Sequence, residues 1–362
     1  MNLFRWILVS LWVAPTLLSA EQRQASSGTF PIEGEIDFEL GNDYVAHSDD
    51  PGGEINDLYF TMEPYVRFSP TEFLSIDALF IFESVQDPAE GEDPVFDDHG
   101  VFVEQLTLRL EQDRYAVFGG KFTPAFGIAW DEAPGIYGAD FAEDYEMVER
   151  IGVGFSLLLV EDGRFGSHAL EASSFFIDTS SLSGSMITSR GRTRLSDGGA
   201  GNTEDLSSFA ITLGGEDLGG IDELFYHAAY RMQARGDLDV SGSKEEAWVL
   251  ALGRSIDWNE DWRLTGLAEY AWFAHMDGED ADATYLTSSL LLSFRETWNL
   301  AASYTLRSMD EADNRINDSL FQLTAGYVFE NGVSIKFGYL RTREDGVSSD
   351  TIGLLSTFTL AF

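Results

Sequence analysis

Cysteine is absent from all 362 residues of this chain. That excludes a disulfide scaffold and any thiolate metal site, and it leaves nothing to mispair in an oxidising compartment. Basic side chains are scarce: 22 Lys and Arg stand against 62 Asp and Glu, a formal net charge of −40. Phosphate recognition needs clustered Lys and Arg, so this balance argues against a nucleic-acid partner. Long apolar runs are missing too. Past Leu18 no stretch approaches the roughly 18 consecutive apolar residues of a spanning helix, so any membrane crossing by the mature chain has to use strands. The five histidines, His47, His99, His168, His227 and His275, are scattered without the His-x-x-x-His spacing of a zinc site, and no cofactor is expected. Such acidity ordinarily accompanies disorder, yet 44% hydrophobic and 13% aromatic content provides apolar surface to bury.

What is present begins with the two ends. Met1 to Arg5 carries one positive charge, Trp6 to Leu18 is an apolar run of secretory length, and Leu18-Ser19-Ala20 ends on a small residue before Glu21. This reads as a signal peptide over residues 1–20, with 21–362 as one domain. Leu18 departs from the small-x-small cleavage pattern, so an uncleaved anchor is the alternative. At the other end, Ile352, Leu354, Phe358, Leu360 and Phe362 share one face of a strand and Gly353, Thr357, Thr359 and Ala361 the other. A soluble edge strand would alternate in the same way, so the rest of the chain decides.

The rest repeats that pattern. Ile32, Ile36, Phe38 and Leu40 alternate with Glu33, Glu35, Asp37 and Glu39, and four carboxylates on one face of a strand suit water on that side and lipid on the other. Further segments of this kind start at Leu58, Phe73, Val101, Tyr115, Ile151, His168, Leu206, Leu224, Ala247, Trp262, Tyr285, Trp298, Leu320, Val333 and Ile352, about sixteen in all, each of the length a tilted strand needs to cross a bilayer. Short connections such as Glu111 to Arg114, Asp257 to Asp261 and the Asn331-Gly332 hairpin signal alternate with long acidic ones such as Gln86 to Gly100, Thr123 to Arg150 and Thr179 to Asp205. Aromatics gather at strand ends. Phe68, Phe73, Trp258, Trp262, Phe294, Trp298 and Phe329 form one expected belt, and Phe82, Phe102, Phe122, Phe176 and Trp272 the other. A propeller would repeat a motif of about 40 residues, and none recurs. The expected fold is all-β: a transmembrane antiparallel barrel of about 16 strands.

On these residues the chain resembles the Gram-negative outer-membrane porins, and the resemblance extends from the signal peptide to the terminal Phe362. It implies an outer-membrane location, contact with lipid and lipopolysaccharide, insertion by the barrel-assembly machinery with Phe362 as the assembly signal, passage of ions and small hydrophilic solutes, and a homotrimer. In porins the loop after the fifth strand commonly folds inward, and Thr123-Pro124-Ala125-Phe126-Gly127 is similar to the Pro-x-Phe-Gly stretch found there. Unlike the enterobacterial pattern, basic residues are few and dispersed, so no ladder of arginines opposite that loop is assigned.

Parity then nominates the pore lining. If the apolar face meets lipid, Glu35, Asp37, Glu63, Asp77, Glu171 and Glu269 face inward with Arg67, Arg109, Lys121, Arg231, Arg307 and Lys336, because a midplane Arg or Lys facing acyl chains costs roughly 2–4 kcal/mol. Opposite charges across the bore would set up a transverse field, and the net sign favours cations. In the loop, Phe126, Asp131, Glu132, Asp140 and Glu143 are the constriction candidates, and Asp140 is expected to cap a short helix running through Tyr145 and Val148. A solvated external loop is the alternative, weighed against by the apolar Phe126, Ile128, Trp130, Ile136, Tyr137 and Phe141. Two other functions stay open. Tyr59, Tyr65, Tyr115, Phe273 and Tyr285 point inward by parity and could form the track of a substrate-selective channel for siderophores or organic solutes. A barrel hydrolase could use Ser173 or Ser208 with His227, though no spacing fixes such a pair. The acidic runs Ser48 to Glu54 and Asp277 to Asp282 lack EF-hand spacing and read as solvated loops.

Overall fold

In the computed structural model, residues 31–311 and 314–362 are described; the expected signal segment 1–20 lies outside them. The strands are β1 (Ile32–Ser48), β2 (Asn56–Thr71), β3 (Leu74–Ser84), β4 (His99–Gln112), β5 (Tyr115–Phe122), β6 (Arg150–Asp162), β7 (Gly166–Ile177) and β8 (Ser208–Glu216). The series continues with β9 (Leu224–Gln233), β10 (Glu245–Asp257), β11 (Trp262–Ala274), β12 (Ala281–Phe294), β13 (Trp298–Glu311), β14 (Asn314–Val328), β15 (Ser334–Glu344) and β16 (Val347–Ala361). Each pairs antiparallel with its sequence neighbours, and β1 pairs with β16, so the sheet closes into a sixteen-strand barrel. Closure leaves no unpaired edge, the condition for strands to exist in hydrocarbon.

Alternation sorts the two faces. Along β10, Ala247, Val249 and Ala251 are buried while Trp248, Leu250 and Leu252 are exposed. The exposed leucines and tryptophans are what a lipid-facing wall requires. Trp258, Trp262, Trp298, Phe73 and Phe329 are exposed at the rim of the short turns. The expected strands all form, and several run further toward the long-loop rim, β1 reaching Ser48 instead of Leu40.

Two irregularities overturn the simple parity. The ladder between β3 and β4 slips between Leu79 and Phe80, which turns Phe102 inward, 5% exposed, instead of into the outer aromatic belt. In β5, Gly120 sits at φ +134°, a conformation that side chains rarely adopt. Alternation breaks there, so Phe118, Lys121 and Phe122 are all buried. Phe122 therefore leaves the belt as well. Tyr115, expected inward, faces out instead, 43% exposed and 6.4 Å from the Phe155 ring.

The seam between first and last strands is closed by the terminal residue. Phe362 N donates to Gly34 O at 2.9 Å, and Gly34 N donates to Phe362 O at 3.0 Å. A Cβ at Gly34 would lie 2.4 Å from the Tyr65 carbonyl oxygen of β2 and 2.8 Å from the Phe362 ring, so glycine there lets both neighbours approach β1. Deleting Phe362 removes both hydrogen bonds and an interfacial aromatic. We expect a severalfold lower yield of heat-modifiable barrel in the membrane fraction, and Gly34→Val should reproduce part of that loss. Normal yields from both variants would remove Phe362 from the assembly step.

Candidate functional site

The connection between β5 and β6, residues 123–149, carries two short helices, α1 (Ala129–Glu132) and α2 (Asp140–Glu143). α2 starts after Ala139 without a side-chain cap and ends before Tyr145. Asp140 thus lies inside the helix instead of capping it, and the helix stops short of Tyr145 and Val148.

One side of this segment is bonded to wall residues from β8 to β14. Thr212 Oγ1 donates to Ala125 O at 2.7 Å, and Gly127 N donates to His227 Nε2 at 3.1 Å. Glu269 accepts from Ile128 N at 2.7 Å, Ala129 N at 3.2 Å and the Tyr145 hydroxyl at 2.6 Å. Arg231 donates to Tyr145 O at 2.7 Å and pairs with Glu245 at 2.8 Å. Arg307 reaches Asp144 at 2.7 Å and also holds Asp318 and Glu344. Gln322 and Ser303 both donate to Pro134 O. Farther round, the Tyr137 hydroxyl donates to Asp43 of β1. Gly353 of β16 leaves the space, since a Cβ there would meet the Tyr137 hydroxyl at 1.9 Å.

Apolar packing fills the space under these bonds. Phe126, Ala129, Ala142, Tyr145 and Met147 join Phe118, Phe122, Phe175, Val249, Phe273 and Tyr285 in one buried cluster. Phe126, Tyr145, Phe273 and Tyr285 stack at centroid separations of 5.1–6.4 Å, mostly edge to face. The inward aromatics Phe273 and Tyr285 are thereby filler beneath the segment and cannot form a solute track. Tyr59 and Tyr65 lie apart from this cluster, on β2.

The opposite side of the segment is acidic and looks toward β1 to β4. Burial, Glu143 and Asp43 push the Asp140 carboxyl up to about 7. Burial, then Asp144, Glu83 and Glu39, does the same for Glu143. Burial and Glu132 raise Asp131 to about 7. Burial, then Glu104, Glu143, Asp131 and Glu63, lifts Glu146 to about 8. The wall residues in these causes place carboxylates of β1, β2, β3 and β4 against those of the segment. Acid therefore faces acid.

Lys336 lies near Glu39, Arg190 near Glu83, and Lys121 and Arg190 near Glu104 without forming a salt bridge to them, and most other inward cations are engaged elsewhere. Arg67 pairs with Asp77 at 2.5 Å, and Lys121 with Glu149 at 2.7 Å and Asp178 at 2.9 Å. Arg190, from the loop between β7 and β8, pairs with Glu149 and sits 3.6 Å from the Phe102 ring centroid. Arg109 lies 3.9 Å from Asp77 and over Phe118. Among the described residues, no salt bridge involves Glu39, Glu63, Glu83, Glu104, Asp131, Asp140, Glu143 or Glu146. Most inward cations are bonded to carboxylates beside them.

The sequence-predicted residues thus fall into separate groups. Glu63, Asp131, Asp140 and Glu143 meet at the acidic gap. Arg231, Glu269 and Arg307 are buried anchors of the segment, with Phe126 under it. Asp77 and Arg109 are buried on β3 and β4 beside half-buried Arg67 of β2, and Lys121 and Glu171 are buried on β5 and β7. Glu35 and Asp37 lie on β1 near the seam, where Thr359 Oγ1 donates to Asp37 at 2.5 Å. Lys336 is half-buried on β15, and Glu132 is exposed at the end of α1. Parity missed Glu104, which the β3–β4 slip turns inward, and Arg190, which arrives from a distant loop. Ser208 Oγ accepts from Ala234 N at 3.0 Å, a structural bond. Among the described residues, no cluster of three or more His, Cys, Asp or Glu is placed to hold a metal ion.

A closed sixteen-strand antiparallel barrel, apolar outside and charged inside, has the fold of the outer-membrane porins. OprB of Pseudomonas putida, solved at high pH, superposes with a TM-score of 0.66 at 8% identity, covering 94% of this chain and 96% of that one. OmpF of Salmonella typhi in complex with daunomycin gives 0.61 at 15%, covering 91% and 97%. A mutant of the Rh. blastica porin gives 0.56 at 13%, covering 92% and 100%. The likeness is one of fold and spans nearly the whole of each chain. No protein-family model and no curated protein sequence matches this chain.

Proposed function

We propose that this protein is an outer-membrane channel for passive diffusion of ions and small hydrophilic solutes, that segment 123–149 narrows its bore, and that it prefers cations. Export by the segment 1–20 and insertion through Phe362 belong to the same reading. The observation that carries it is the set of unpaired carboxylates facing one another across the acidic gap, Glu39, Glu63, Glu83 and Glu104 on the wall against Asp131, Asp140, Glu143 and Glu146 on the segment. Fixed negative charge in a narrow aqueous passage with low-dielectric walls concentrates cations and repels anions.

The test is the reversal potential of the refolded protein in a planar bilayer under a salt gradient. At pH 9 it should approach the cation side of the ideal limit, about 59 mV per tenfold gradient for a monovalent ion. The segment carboxyls titrate at about 7 to 8, so acidification to pH 5.5 should protonate them and move the potential toward zero. Linkage has the matching sign for stability. Raised carboxyl pKa values favour the docked segment most below the ordinary carboxylate range near 4, and that support is lost as pH rises to about 8. An anion-selective channel, or a potential indifferent to pH, would overturn the proposal.

A further inference from the structure

From β9 to β14 the lipid-facing wall carries small outward residues among its leucines and aromatics. There a groove of about 600 Å³ crosses the wall. Its floor is small, Gly266 and Ala268 on β11, Ser288 on β12 and Ala302 on β13, and Tyr304 stands at one side. The ladder makes these floor residues contiguous, because Ala268 pairs with Ser288 and Leu290, beside them, pairs with both Gly266 and Ala302. Leu290 stands over Gly266, its Cδ2 3.3 Å from where a Cβ on that glycine would lie, so the part of the furrow left open runs over Ala268 and Ser288, between Leu252 and Tyr304.

Arg254 closes the groove toward the short-turn rim. Its side chain is on the lipid-facing parity, between exposed Leu252 and Ile256. It pairs with Gly266, four residues along β11 from Trp262 of the aromatic belt, which sets its Cα about 10 Å into the apolar layer at the usual rise and tilt. A cation on that face is costly unless its head reaches the interface. Arg254 does reach back, its Nε donating to Asp222 O in the turn between β8 and β9 at 3.4 Å. Among the described residues no carboxylate pairs with it, whereas Arg341, on the same outward face near the other rim, has Asp350 at 3.7 Å. The guanidinium keeps donors for an outside partner at the depth where phospholipid phosphates lie. The turn it touches is acidic, with Asp217 and Asp222 exposed there, which favours an ammonium next to that phosphate over a further negative charge.

We propose that this groove binds one phospholipid of the periplasmic leaflet bearing a phosphoethanolamine head, with its phosphate on Arg254, its ammonium toward the acidic turn and one acyl chain over Ala268 and Ser288. The proposal rests on the membrane reading of the barrel and is independent of ion preference. The experiment is native mass spectrometry of the refolded full chain in non-ionic detergent doped with equal amounts of phosphatidylethanolamine, phosphatidylglycerol and phosphatidylcholine. One phosphatidylethanolamine should be retained in preference to the other two. Arg254→Gln should reduce its retention severalfold, and Ala268→Phe, which fills the floor and leaves the charge, should do the same. Both substitutions face lipid, and a heat-modifiable band shows that each variant is folded. Unchanged retention on either variant, equal retention of phosphatidylglycerol, or an oligomer that Ala268→Phe dissociates would overturn the assignment, the last because a second copy would then occupy the groove. A wild type that gives no heat-modifiable barrel would overturn the membrane reading itself.

Discussion

Removing Glu269 should release segment 123–149 and raise single-channel conductance severalfold. The carboxylate is 2% exposed and accepts three hydrogen bonds, from Ile128 N, Ala129 N and the Tyr145 hydroxyl. Each buried donor left without its acceptor costs about 1–3 kcal/mol, so Glu269→Ala strains the segment at one end of its footing. Arg307 is the other footing, through Asp144. Arg307→Met would leave Asp318, 1% exposed by its side chain, without its cation, and burying an unpaired charge is itself strongly destabilising. The cleaner double variant is therefore Glu269→Ala with Tyr145→Phe, which removes one of the orphaned donors along with the acceptor. Deletion of residues 126–146 should give the largest conductance. Equal conductance in wild type, double variant and deletion would place the segment outside the conducting path.

Ion preference should be set at the gap and not by the many external acids. Replacing Glu63, Glu104, Glu143 and Glu146 by glutamine should bring the reversal potential close to zero at about 0.1 M salt. The same number of neutralisations in outer loops, at the exposed Glu90, Glu92, Glu279 and Asp280, should change it little. The physical distinction is screening. The Debye length is about 10 Å at 0.1 M, so charges on the outer loops are screened from the passage, while charges lining it act on every ion that passes. The glutamine variant should also show a weaker pH dependence between 5.5 and 9, because it removes two of the four segment carboxyls held near neutrality and leaves Asp131 and Asp140. Loop neutralisations that outweigh the gap neutralisations would place the selectivity filter at the mouth.

How much of this was legible beforehand differs by element. The barrel and its strand count could be read from local alternation, since a strand between lipid and water must change polarity at every residue and a turn must interrupt it. The long segment after β5 was legible for the same kind of reason, being both too apolar and too acidic for open solvent, with Phe126 and Tyr137 beside Asp131 and Asp140. Parity failed at particular places. The slip in the β3–β4 ladder turned Phe102 and Glu104 inward, and the positive φ of Gly120 put Lys121 and Phe122 on the same buried side. A bulge depends on the fit between two strands distant in sequence and leaves no period of its own.

Sequence by itself determined that the chain is an acidic, strand-built barrel with a charged inner face, because those properties follow from composition and from a period of two. Only the tertiary structure decided what each inward charge does. Glu269 and Glu63 look alike in sequence, an inward glutamate in an alternating strand. Yet one is bonded beneath the segment, and the other lies unpaired at the acidic gap. The difference comes from which part of the wall the segment covers, and that is set by long-range contacts such as Arg307 with Asp144 and Tyr137 with Asp43, which no local pattern encodes.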